Sequence, residues 1–239
     1  MEHKSSIPIE LLTTTGQVSD LAHILFQERC IAVDTESNSR HRYPERVCLV
    51  QVATNSKVYL IDTLAVDSMQ PIGEILADET IVKVIQGADY DIRCLDREWG
   101  FRVRNLFDTA IAVRFIGMKH TGLSVLLEVL LGVHIPKDAR IQKSDWSYRP
   151  LSHEALNYAA TDVWYLLSIH KALENKLGAL ARFPWVSEEC ARLEKIRYVA
   201  PNPETAFLSM KGSHLLDGQQ KAVLKRLFIL RETEARRRN

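Results

Sequence analysis

The sequence predicts an α/β protein, a mixed sheet flanked by helices with a C-terminal helical extension. Three observations carry this. Strand-like apolar runs crowd the first third of the chain, the apolar spacing turns helical from about residue 92, and the character changes again after Leu177-Gly178. Strands first and then a βα alternation is the order that produces a sheet covered by helices.

Residues 31–34, 47–53 and 58–62 are short apolar runs rich in β-branched side chains. Polar connectors containing Asn38, Pro44, Asn55 and Ser56 separate them, so they read as a meander. A helix near residues 72–76 leads to a fourth strand at 81–85. Beyond it, Ile92, Leu95 and Trp99 recur at helical spacing, as do Ile111 with Phe115, and Leu123 with Leu126, Leu127 and Leu130. Residues 156–177 continue as one long helical pattern through Leu156, Ala159, Val163, Leu166 and Leu167. A boundary near residue 180 divides the chain into 1–180 and 181–239. In the second part Phe183-Pro184-Trp185 and Pro201-Asn202-Pro203 interrupt the pattern, and 219–237 is a strong helix. Val223, Leu224, Leu227, Phe228 and Leu230 give that helix one apolar side, which either packs back on the first part or belongs to a larger helical module.

The chain of 239 residues is 46% hydrophobic and 26% charged, ordinary values for a globular protein that buries a full core. No stretch approaches the roughly 20 apolar residues of a membrane span, and Met1-Glu2-His3-Lys4-Ser5-Ser6 leads into no signal-like segment. A cytoplasmic location is the default expectation. Cys30, Cys48, Cys94 and Cys190 form no C-x-x-C pair, so free thiols are expected rather than a zinc site or disulfides. The net charge of +1 hides an asymmetry: residues 182–239 hold 12 Lys/Arg against 7 Asp/Glu, and residues 1–181 hold 19 against 23. That split suits an acidic metal site joined to a basic segment for a polyanion, and equally a solvated basic helix ending in Arg236-Arg237-Arg238.

Asp34 and Glu36 follow the apolar run Cys30-Ile31-Ala32-Val33. Strand side chains alternate faces, so both carboxylates project from the same side. At ~4 Å and an effective dielectric of ~20 their repulsion is on the order of 4 kcal/mol, which a proton or a metal must offset. A divalent metal is the favoured answer; one solvated carboxylate and one helix cap is the alternative. Asp91 stands at the start of a helix and shares a face with Leu95, whereas Asp89 sits where an N-cap belongs. The capping role therefore goes to Asp89 and the ligand role to Asp91. Tyr158 and Asp162, at i and i+4, present a phenol and a carboxylate one turn apart, a pairing that suits handling of a water. A core Tyr with a capping Asp fits the same spacing.

Five segments in order resemble the motifs of ribonuclease D: Val33-Asp34-Thr35-Glu36, 88–95 around Asp91, Leu106-Phe107-Asp108-Thr109-Ala110, 144–151 around Trp146, and Tyr158-Ala159-Ala160-Thr161-Asp162. That family lies within the DEDD 3'-5' exonucleases, in the subgroup with Tyr in the third motif, and the resemblance covers roughly residues 20–177. It implies a ribonuclease H-like fold and metal-binding carboxylates at Asp34, Glu36, Asp91 and Asp162, with Tyr158 orienting water. Residues 200–237 resemble the connector and first helix of the nucleic-acid-binding module that follows the nuclease in ribonuclease D. One departure is Gln86, where many relatives carry His.

Two divalent ions, Mg²⁺ or Mn²⁺, suit such an oxygen-rich site. Asp34 is expected to bridge them, with Glu36 and Asp162 on the water side and Asp91 on the leaving-group side. Arg40, Arg42 and Arg46 follow the first motif, and Lys137, Arg140, Lys143 and Arg149 precede the last, so both clusters are candidates to hold phosphates of single-stranded RNA. Trp146 and Tyr148 are candidates to stack a terminal base, with burial of Trp146 as the competing expectation. Asp108 is expected to cap a helix. The expected function is release of nucleoside 5'-monophosphates from RNA 3' ends. A DNA exonuclease uses the same site, and a binding adaptor without chemistry is disfavoured because all four carboxylates and the Tyr are present.

Overall fold

A computed structural model describes residues 7–136 and 138–238. Lys137 and the Met1–Ser6 leader considered above lie outside the described residues. The chain runs β1 (Ile9–Leu12), α1 (Thr15–Leu25), β2 (Cys30–Ser37), β3 (Val47–Ala53), β4 (Val58–Asp62), α2 (Gln70–Ala77), β5 (Val82–Ile85) and α3 (Asp89–Trp99). It continues through β6 (Leu106–Asp108), α4 (Thr109–Phe115), α5 (Leu123–Leu126), a π-helical turn (Leu127–Leu131) and α6 (Ala139–Gln142). Then follow α7 (His153–Trp164), α8 (Leu166–Ala179), α9 (Phe183–Leu193), two short 3-10 turns and α10 (Gly218–Arg238).

Among the described residues the sheet has six strands in the order β1-β4-β3-β2-β5-β6. The expected meander is present: β2 pairs antiparallel with β3, and β3 with β4. β1 joins β4 in parallel, β5 joins β2 in parallel and β6 joins β5 in parallel, which makes the sheet mixed. Every residue of β3 and β4 is buried, and α7 packs across both strands. The register of β2 on β3 shifts between Glu36 and Ser37. An irregularity of this kind bends a strand and re-aims its side chains, and here it falls directly beside the first acidic pair.

Several elements depart from the sequence-based expectation. β1, α1 and β6 were not anticipated; α1 is announced by Thr14 and Gln17, which form a reciprocal capping box. The long pattern at 156–177 is two helices, α7 and α8, separated at Tyr165. α9 lies past residue 180 yet packs on β6 and α4, burying Val186 and Cys190 in the main core. The apolar side of α10 is only partly covered: Leu224 and Phe228 are half-buried, whereas Val223, Leu227 and Leu230 are exposed. Its inner face meets the β2–β3 connection, where Tyr43 donates to Glu232 and the Arg236 guanidinium lies 5.6 Å from the Tyr43 ring centroid.

Candidate active site

β2 places Asp34 and Glu36 on the face covered by α7, and α7 brings Tyr158 and Asp162 to them. Ser152 caps α7 by accepting from the Ala155 N–H, which fixes where that helix begins. Thr35, between the two acids, faces the other way and donates its hydroxyl to Asp91 Oδ1 at 2.5 Å. One strand thereby holds carboxylates arriving from both layers.

The position of Asp91 depends on a turn that the sequence does not advertise. Gly87 has φ +74, a left-handed conformation that costs a residue with a Cβ. Asp108, at the end of β6, accepts from Gly87 N at 3.1 Å and Ala88 N at 2.8 Å, and also from Ala110 N and Ile111 N at the start of α4. The expected cap role of Asp108 is confirmed, and the same side chain clamps the turn that launches α3. The expected cap role of Asp89 is not. Asp89 is already helical and pairs with Arg93 one turn on, at 3.0 Å; Ala88 occupies the cap position.

Electrostatics bind the four acids into one group. Burial raises the Asp34 carboxyl well above its ordinary range, and the charges of Asp91, Glu36 and Asp162 raise it further. Glu36 is pushed up to about 9 by burial, reinforced by Asp162 and Asp91. Asp91 is pushed up to about 6 by burial, held back by the hydrogen bond from Thr35. The Tyr158 phenol is raised above its ordinary value by burial and then by Asp162, to which it is hydrogen-bonded.

The donor set is all oxygen and anionic, which fits a hard divalent cation such as Mg²⁺ or Mn²⁺ and does not fit a thiolate-seeking metal. Among the described residues no three His, Cys, Asp or Glu side chains are already closed into a metal-holding group. The acids are near enough to repel and are not drawn to one point.

A cleft of about 510 Å³ opens beside two of these acids, Asp34 and Asp162. Leu123, Leu127, Ile135, Pro136 and Ile141 give it an apolar wall, and Gln86, Asn157, Tyr158 and Thr161 give it polar groups facing Asp34 and Asp162. Gln86 donates to the Thr121 carbonyl at 2.6 Å and accepts from the Thr109 hydroxyl. The residue that departs from the ribonuclease D pattern thus ties the end of β5 to the loop carrying that wall.

Two expected substrate contacts are corrected. Trp146 is 2% exposed, with its ring 6.2 Å from that of Tyr158, so it has no free face for a base; Tyr148, 74% exposed, has one. Arg149 is engaged inside the fold. It grips Asp62 with Nε at 2.5 Å and Nη2 at 2.7 Å, and donates to the Cys48, Trp146 and Tyr148 carbonyls, leaving no donor face for phosphate. Arg40 and Lys143 are exposed. His41 Nε2 lies 2.7 Å from the Lys143 carbonyl, and Arg42 sits 3.6 Å from Asp145, so the two basic segments do meet.

The fold and the site define a ribonuclease H-like protein whose sheet carries an acidic group at the mouth of a cleft. Residues 9–178 match the 3'-5' exonuclease family, a divalent-metal-dependent family, and the chain belongs to it. Ribonuclease D of Gluconacetobacter diazotrophicus is 34% identical over 96% of this chain. The chain spans 58% of that relative's length. Among solved structures, the catalytic core of RRP6 from Trypanosoma brucei superposes with a TM-score of 0.86 at 27% identity, covering 99% of this chain and 66% of that one. Escherichia coli RNase D, described as an exoribonuclease involved in structured RNA processing, gives 0.82 at 29% identity, covering 97% of this chain and 62% of that one. Among the described residues no helix is long and apolar enough to cross a membrane.

Proposed function

We propose that this chain is a metal-dependent 3'-5' exoribonuclease that releases nucleoside 5'-monophosphates from single-stranded RNA. The observation that most supports the reading is the mutual charge of Asp34, Glu36, Asp91 and Asp162, two of which, Asp34 and Asp162, line one cleft. These four would hold two divalent ions, Mg²⁺ or Mn²⁺. When bound, such ions activate water and stabilise the leaving oxygen. Water adds to phosphorus, the P–O3' bond breaks, and the shortened strand keeps a 3'-hydroxyl.

The chain's own groups orient that event. Tyr158 keeps its proton at neutral pH because burial and Asp162 oppose ionisation, so it acts as a hydrogen-bonding group that aims the water rather than as its base. The apolar wall of the cleft accepts the terminal base and excludes water around it. Arg40 and Lys143, on segments joined through His41, grip upstream phosphates, and Tyr148 offers a stacking surface. Residues 1–180 carry the chemistry and 181–239 form the extension, whose α9 is docked on the core. Four unpaired cysteines fit a reducing compartment such as the cytoplasm.

The test is incubation with Mn²⁺ and matched end-labelled RNA and DNA oligomers, with EDTA as control. RNA shortening that chelation abolishes and Mg²⁺ or Mn²⁺ restores is expected. Hydrolysis that persists in excess EDTA contradicts the metal-dependent reading, and a preference for DNA moves the substrate assignment.

A further inference from the structure

Gln51 lies at the centre of β3, wholly buried, and neither Nε2 nor Oε1 has a hydrogen-bond partner among the described residues. A buried primary amide with both ends unpaired is rare, because it forfeits its hydration and receives nothing in exchange. Its position gives the reason. In the β2–β3 register Gln51 stands directly opposite Asp34. Cross-strand partners share a face and hold their Cβ atoms roughly 4.5–5.5 Å apart, so the Gln51 amide is within reach of the Asp34 carboxylate. On that face α7 lies over the strand with Ala155, Ala159, Ala160 and Val163 buried, none of which carries a polar side-chain group.

We propose that Gln51 is a positioning residue for the metal site. Its Nε2 donates to one oxygen of Asp34 when that side chain is turned to a divalent ion, leaving the other oxygen for the ion. Ligands of a metal are commonly oriented by a hydrogen bond from behind, and loss of such a partner costs 10–100-fold in affinity.

The inference rests on the metal-binding reading of the four carboxylates, and one set of measurements separates the two. Mn²⁺ is titrated calorimetrically into the wild-type chain, Gln51→Met and Gln51→Leu without nucleic acid, and each is melted in chelator. The expected result is affinity lowered at least tenfold in both variants while the chelator melting temperature is equal or higher, since an unpaired buried amide has been removed. Affinity within twofold of wild type overturns the role of Gln51 and leaves the metal site standing. Melting temperatures lowered by many degrees in both variants also overturn it, because they mark the amide as structural. If the wild-type chain itself takes up no Mn²⁺, the metal reading and this inference fall together.

Discussion

At the scale of single residues, the acids are held against their own preference for water. In an unfolded chain Asp and Glu titrate near 4. In the folded, metal-free protein Asp34 is raised far above that, Asp91 to about 6 and Glu36 to about 9. Between those values the folded state binds more protons than the unfolded one, so stability falls as pH rises through the window of about 4 to 9. Melting in EDTA should therefore show a melting temperature that declines from pH 5 to pH 9, a decline that Asp34→Ala flattens. A temperature that climbs over the same range contradicts the assignment. Tyr158→Phe should lower turnover by roughly 10²–10³, by analogy with other removed hydrogen-bonding groups. Turnover equal to wild type at saturating metal would contradict a role for the phenol in aiming the water. The four acids and the Tyr were legible in the sequence because their motifs are ordered and their types are specific. The engagement of Arg149 was not, since nothing local distinguishes an arginine that meets phosphate from one that meets Asp62.

At the scale of elements, the site is assembled by the neighbours of β2. Arg149 forks onto Asp62 and reaches the Cys48 carbonyl, pinning the segment before α7 to the ends of β3 and β4. Asp62 is 4% exposed. Arg149→Ala leaves that carboxylate buried without its partner, a loss of about 3–5 kcal/mol by comparison with other broken buried pairs. Thermal denaturation should show a clear drop, with RNA affinity of the folded protein unchanged when measured below the transition. Unchanged stability with weakened RNA binding would restore Arg149 to the substrate. The meander and the fourth strand were legible because their apolar runs are continuous and bounded by turn residues. β1 and β6 have only 4 and 3 residues, too few for a period to declare itself, and each is a strand only because it adds in parallel to an existing edge. The break between α7 and α8 at Tyr165 leaves the apolar spacing intact, so it could not be read from spacing.

At the scale of the whole molecule, an acidic cleft and a basic tail are arranged around one sheet, and the central claim is that the cleft accepts only a strand end. The wall formed by α5, the π-helical turn, the loop after it and α6 bounds a space of about 510 Å³, a size that suits a terminal nucleotide. A free 3'-hydroxyl should then be needed, and shortening should proceed one nucleotide at a time. The most direct measurement is limited digestion, in Mn²⁺, of a 5'-labelled linear RNA beside a covalently closed circle of the same sequence. The expected result is a descending ladder from the linear RNA and an intact circle. Equal degradation of both would falsify the exonuclease reading and assign the acidic site to internal cleavage.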